Sequence, residues 1–201
     1  TSNLNSAQRL IVENALAAKY ALTISGDVYA MDNPANGNFD FDVAGIARVN
    51  ASNQHTDAKG QGLVRISGAT DLGDNESFLW GHNNTALTVR STDVPSGVQS
   101  RLAREWGVSE TGDVGAVNMQ LDLSGLYGSI TPSDLRLLID HDGDGIYNEA
   151  GTQSISGATA TSCGYYTFTG VTALDNAMRF TLGTINFSQT PLPIELVRFE
   201  G

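Results

Sequence analysis

The residues best placed to do chemistry are the acids of Asp140-His141-Asp142-Gly143-Asp144-Gly145-Ile146-Tyr147-Asn148-Glu149. Asp140, Asp142 and Asp144 alternate, and the intervening glycines permit a tight wrap that aims their oxygens at one centre. Carboxylates so close repel one another unless a cation sits among them, and calcium takes 6–8 oxygen ligands at 2.3–2.6 Å. The Ile146 backbone carbonyl and the Glu149 carboxylate could complete such a set. The pattern departs from an EF-hand, because the twelfth loop position is Gly151 and the acid falls at the tenth. It is closer to the short Asp-x-Asp-x-Asp-Gly loops of extracellular proteins. The competing reading is a solvated acidic turn. A bound calcium would have a structural role, tying a long connection to the fold at extracellular, millimolar concentrations.

Other chemistry is thinly signalled. His55, His82 and His141 are scattered and show no metal-ligand spacing. There is no Gly-x-Ser-x-Gly elbow and no phosphate-cradling glycine loop before a helix. His82, in Trp80-Gly81-His82-Asn83-Asn84, is expected to brace a turn, and the chain is expected not to be an enzyme. Trp80, Tyr165 and Tyr166 could stack on sugar rings, which keeps a calcium-dependent carbohydrate-binding module as the alternative. Trp106 reads as core of a central strand. Sequons at Asn50, Asn75, Asn83 and Asn186 mark surface loops.

The elements that must position these residues are nearly all strands. One amphipathic helix is expected over residues 6–20, capped by Ser6, with Ile11, Ala15, Ala18 and Leu22 forming an apolar stripe flanked by Val12 and Leu16. Strands are expected at 21–25, 39–49, 63–67, 77–80, 86–90, 101–109, 116–123, 135–139, 165–169, 178–185 and 194–199. Val117, Met119, Leu121 and Leu123 alternate with Asn118, Gln120 and Asp122, so that strand has one wet face. Phe180, Leu182 and Ile185 alternate with Thr181 and Thr184 in the same way. Residues 152–161, rich in Ser, Thr, Gly and Ala, read as an exposed loop. The fold class is mainly β: an antiparallel sandwich or jelly roll over residues 1–190, with the helix at its N-terminal side.

Composition narrows the function classes. Among 201 residues there are 22 Gly, and 22 acids face 11 bases for a formal charge of −11. Lys19 and Lys59 are the two lysines. Such a surface repels phosphate backbones, which argues against nucleic-acid partners, and it suits divalent cations. No window approaches the ~18 apolar residues of a membrane span, so insertion is not expected. Cys163 is the single cysteine, so no intramolecular disulfide forms. The chain begins at Thr1, which fits either a removed leader or a piece of something longer.

Several stretches in fixed order carry a family likeness. They are Gln8-Arg9 through Glu13, Ala15-Leu16-Ala17 and Lys19-Tyr20; Asp42-Val43-Ala44-Gly45-Ile46; Phe78-Leu79-Trp80-Gly81-His82-Asn83-Asn84; Arg101 through Trp106 into Glu110-Thr111-Gly112-Asp113-Val114-Gly115; and Asp134 through Asp140. Together they resemble a β-rich module of large Bacteroidota surface proteins exported by the type IX system, one that stands between a lectin-like sandwich and a C-terminal sorting domain. The pattern usually has glycine where this chain has Ala21. The resemblance implies a location outside the cell, roles in adhesion, gliding or matrix, and no catalytic residues.

Pro191-Leu192-Pro193 followed by Ile194, Leu196, Val197 and Phe199 resembles the strand that opens the next module in those proteins. A strand apolar on both faces needs neighbours. It either closes this domain as an ordinary last strand or adds to a sheet of another copy, which would give head-to-tail filaments. The expected partners are therefore further copies or neighbouring modules, with glycans as the alternative.

Overall fold

A computed structural model describes residues 3–60, 62–125, 130–162 and 164–192. Helix α1 spans Ser6–Tyr20. Strands follow in chain order as β1 (Phe41–Asn50), β2 (Asn53–His55), β3 (Asp57–Lys59), β4 (Val64–Ser67), β5 (Glu76–His82), β6 (Val89–Arg90) and β7 (Ser100–Leu102). The rest are β8 (Trp106–Thr111), β9 (Val117–Asp122), β10 (Leu135–Asp140), β11 (Thr152–Ile155), β12 (Thr159–Ser162), β13 (Tyr165–Val171) and β14 (Arg179–Thr184).

The strands make two antiparallel sheets. The larger runs β11-β10-β14-β8-β5-β1-β2, with the β6–β7 ribbon attached through β14, and the smaller runs β12-β13-β9-β4-β3. Ile46, Phe78, Trp80, Leu137 and Phe180 of the larger sheet meet Val64, Ile66, Met119, Leu121 and Phe168 of the smaller in one core. This is the expected mainly-β sandwich with its single helix.

The helix begins one residue before the expected cap. Asn5 accepts the Gln8 N–H at 2.9 Å, and the Gln8 side chain accepts the Asn5 N–H at 3.0 Å, a reciprocal box that Ser6, already inside the first turn, cannot make. It ends on Ala21 in the left-handed region at φ 51° and ψ 48°. Alanine thus adopts the conformation for which glycine is the usual choice, at a cost of roughly 1 kcal/mol.

The buried face is also rotated from the expected stripe. Ala7, Ile11, Asn14, Ala17 and Ala18 are buried, while Val12, Leu16 and Leu22 are 42%, 45% and 54% exposed. Asn14 explains the rotation: its amide donates to the Leu10 and Gly26 carbonyls at 2.9 and 3.0 Å and accepts the Val28 N–H at 2.8 Å. That stitching fixes residues 21–28 as an irregular connection, so the strand expected at 21–25 does not form.

Other expectations change as well, among them the strand at 86–90, which narrows to β6. The run at 101–109 divides into β7 and β8, which lie end to end against β14. The stretch at 152–161 holds β11 and β12, edge strands whose short polar side chains gave no alternation to read. On β14, Thr181 and Thr184 are both fully buried: Thr181 because Val98, Leu138 and Tyr147 form a second small core on what was expected to be a wet face, and Thr184 because it lies on the opposite face, across from Leu135 of the main core. Thr181 answers burial by donating its hydroxyl to the Arg104 carbonyl at 2.8 Å.

Replacing Asn14 with Ala leaves the Val28 N–H and the Gly26 carbonyl without their partner, while the Leu10 carbonyl keeps its helical one. We expect a loss of about 2–3 kcal/mol in urea unfolding, against less than ~0.5 kcal/mol for Val12→Ser on the exposed side of the same helix.

Candidate metal centre

β10 carries Asp140 to the end of the larger sheet, where it is fully buried. Its two carboxylate oxygens accept the N–H groups of Gly143 and Gly145 at 3.0 and 2.7 Å. Those bonds fold the chain back over the strand end. Both glycines have positive φ, 70° and 88°, and a methyl group on Gly143 would stand 2.5 Å from the Ala177 carbonyl oxygen. Asp144 closes the next turn by accepting the Ile146 N–H at 2.7 Å. The outcome is that one oxygen from each of Asp140, Asp142 and Asp144 lies within 4.8 Å of the others.

The three expected aspartates are thus brought together, with Asp142 and Asp144 exposed above the buried Asp140. The expected fourth acid, Glu149, is not in that group; it lies beside Asp142 across Gly151, where an added methyl group would stand 3.2 Å from an Asp142 oxygen and 3.3 Å from a Glu149 oxygen. The Ile146 carbonyl accepts the Thr152 hydroxyl at 3.2 Å and keeps a second lone pair. His141 turns away to Gln153, its Nε2 standing 3.1 Å from the amide oxygen.

The electrostatics record the crowding. Burial, reinforced by Asp142, raises the Asp140 carboxyl to about 6 despite the two glycine N–H groups. Desolvation and the neighbouring Asp142 and Asp144 push Glu149 up as well. The hydrogen bond with Asp140 holds Asp142 down. The donor set is all oxygen and dense in negative charge, the chemistry that suits hard cations.

Beneath the loop lies a charge network that sequence reasoning missed. Arg101, fully buried on β7, donates to the Asp93 carboxylate at 2.6 Å, the Asp93 carbonyl at 2.9 Å, the Leu102 carbonyl at 3.0 Å and Glu105 at 3.2 Å. Its guanidinium stacks 4.3 Å from the centre of the buried Tyr147 ring. Asp93 also accepts the Tyr147 and Asn148 N–H groups at 2.7 and 3.2 Å, so one carboxylate ties the acidic loop to the buried cation. Burial alone would raise Asp93; Arg101 and the loop N–H groups overcome it and hold the carboxyl below its usual range. Burial does raise Glu105, opposed by Arg101 and by Arg179 at 3.9 Å. The Arg101/Glu105 spacing was a faint signal, and nothing in the sequence pointed to Asp93.

His82 braces a turn as expected. Its Nδ1 accepts the Asn84 N–H at 3.0 Å, so Nε2 carries the hydrogen and donates to Asp42 at 3.0 Å. Burial lowers its basicity, partly offset by Asp42.

Two of the three residues offered for glycan stacking are corrected. Trp80 is 1% exposed and Tyr166 8%, because both side chains point between the sheets into the main core, as Trp106 does. Tyr165 remains half-buried on the outer face of β13, beside Lys59. Ile194, Leu196, Val197 and Phe199, together with Cys163, lie outside the described residues.

A family model described as a domain of unknown function, DUF8202, covers residues 8–177. The chain belongs to that family. No curated protein and no solved structure matches it. The DUF8202 match takes in nearly all of α1, the whole acidic loop and both members of the Arg101–Glu105 pair, and it stops two residues before β14.

A second group of acids in this DUF8202 domain behaves differently. Burial, with Asp175 and Asp113 nearby, raises Glu110 to about 7 while its side chain accepts the Val114 N–H at 2.8 Å. A carboxyl that titrates higher folded than unfolded favours folding below the unfolded value, and that contribution is lost as pH rises through about 7. We therefore expect Glu110→Gln to stabilise the chain at pH 8 and not at pH 5, read by urea unfolding at both. For the network, Arg101→Ala leaves Glu105 buried without its hydrogen-bonded partner, offset only by the more distant Arg179. A loss of about 3–5 kcal/mol is expected, larger than for Asp93→Ala, whose carboxylate is partly exposed.

Proposed function

We propose that this chain is a non-catalytic structural or adhesion module of a secreted or cell-surface protein, with calcium locking its acidic loop. The observation that carries the reading is the convergence of Asp140, Asp142 and Asp144 within 4.8 Å on a loop whose far end is anchored through Tyr147 and Asp93 to a buried arginine. Asp140, Asp142, Asp144, Glu149 and the Ile146 carbonyl are the residues that would hold the ion. Calcium would neutralise the carboxylates at the end of β10 and so remove the repulsion that opposes their packing.

Placement outside the cell rests on three supports. The likeness to type IX-exported surface modules is one. The second is a loop suited to millimolar calcium. The third is the chain's −11 charge, which disfavours nucleic-acid partners. With Trp80 and Tyr166 buried, the carbohydrate reading retains only Tyr165 and falls behind.

Thermal unfolding in chelator and in excess calcium tests this. Binding at about 100 times the dissociation constant adds about 2.7 kcal/mol, so the melting temperature is expected to rise by about 5–10 °C. Asp142→Asn, at an exposed position, is expected to keep the fold and lose the response. Equal melting temperatures for the unaltered chain in chelator and in calcium would sink the proposal.

A further inference from the structure

The edge of the larger sheet far from the acidic loop is incomplete. Among the described residues β2 pairs with β1 at Ala47, Arg48 and Asn50, and from Phe41 to Ile46 the strand paired with β1 is β5 alone; β1 is bulged between Phe41 and Ala44, where Gly60 stands against the Asp42 carbonyl. After β2 the chain crosses to the smaller sheet as β3, itself an edge strand. A groove of about 650 Å³ opens where the row begun by β2 would continue.

Its walls carry apolar side chains on both sides of that row, with Asp40, Asp42, Asp57 and His55 among them. Val12 and Leu16 of α1 line it at 42% and 45% exposure, and Phe41 at 42%. Val43 belongs to the cluster on the outer face of the sheet, while Ala44 and Ala58 belong to the main core. Lys19 and Lys59, the chain's two lysines, both line it.

We propose that this groove receives residues 194–199 of another copy as an added strand, continuing the row of β2 along β1. Backbone groups left unpaired on β1 supply the hydrogen bonds. In an extended conformation Ile194, Leu196 and Arg198 would fall on one face, and Glu195, Val197 and Phe199 on the other. A strand with apolar side chains on both faces fits a slot covered by a helix above and a core below. Glu195 shares a face with Val197 and Phe199 and would meet Lys19 on the helix side.

The donor is a second copy because of where the chain leaves the fold. Thr190 is buried and donates to Asp134 at 2.8 Å, beside the start of β10. β10 and β1 are four places apart in the sheet, or about 19 Å at ~4.8 Å per strand. Residues 193–199 span about 24 Å fully extended, so crossing to the chain's own groove would leave almost nothing to pair there. Donation between copies is head-to-tail, giving open chains or rings rather than two-fold dimers. The proposal does not depend on the acidic loop holding a cation.

The test is site-directed cross-linking in full-length chains carrying Cys163→Ser. Leu16→Cys and Leu196→Cys variants are mixed and oxidised, with Leu22→Cys, exposed just past the end of the same helix and outside the groove, as the control acceptor. A cross-linked heterodimer at least tenfold more abundant with Leu16→Cys than with Leu22→Cys supports donation, as does its loss when Phe41→Arg is added to the acceptor. Equal yields from the two acceptors overturn it. So does a cross-linked monomer from the Leu16→Cys/Leu196→Cys double variant at high dilution, which would place a chain's own segment in its groove. Absence of any cross-link, with monomers in sedimentation, overturns it as well.

Discussion

The larger sheet has to be covered on both faces, and most of this architecture follows from that demand. Leu137, Ile139, Phe180 and Leu182 point into the sandwich, while Leu138 and Thr181, from the same strands, point the other way and are equally buried. Hydrophobic side chains on a second face need a second layer. On one half α1 and the segment through Tyr29, Met31 and Phe39 supply it. On the other half Val98 and Tyr147 do. Tyr147 belongs to the acidic loop, so the candidate cation site is an outgrowth of the sheet's second roof.

That roof includes a charge, which is why Arg101 matters. A guanidinium removed from water costs several kcal/mol unless its donors and its charge are met. Here two carboxylates and two carbonyls meet it, and an aromatic ring lies against its face. Asp93 turns this compensation into architecture by holding the loop backbone at 147 and 148. The far end of the loop is thus fixed from below. Its near end is fixed by Asp140 and the two glycine N–H groups, leaving Asp142, Asp144 and Glu149 to crowd together at the surface.

What could be read from residues alone follows a physical line. Alternation in Val117, Met119, Leu121 and Leu123 placed β9 and its wet face, because that strand is covered on one side only. The same logic misjudged β14, since a threonine buried by a second layer looks like one facing water. The acidic loop was legible because its chemistry is local: the spacing of three aspartates and two glycines lies within a few residues. The network beneath it was not, because Asp93 and Tyr147 are separated by 54 positions and meet only after the sheet has formed. The rotated helix face was hidden for a similar reason, Asn14 being a polar residue whose partners, Gly26 and Val28, lie in the next segment.

The position of β14 bears on how this domain can be handled. It stands between β10 and β8 in the middle of the larger sheet, yet it falls wholly after residue 177, where the family match stops. A chain trimmed to the matched span would lack the strand that joins the two halves of the sheet, and Leu192 would go with it from the core. The unit that folds is therefore longer than the unit that is recognised. Any attempt to graft, display or crystallise the domain has to carry the sequence through at least Leu192.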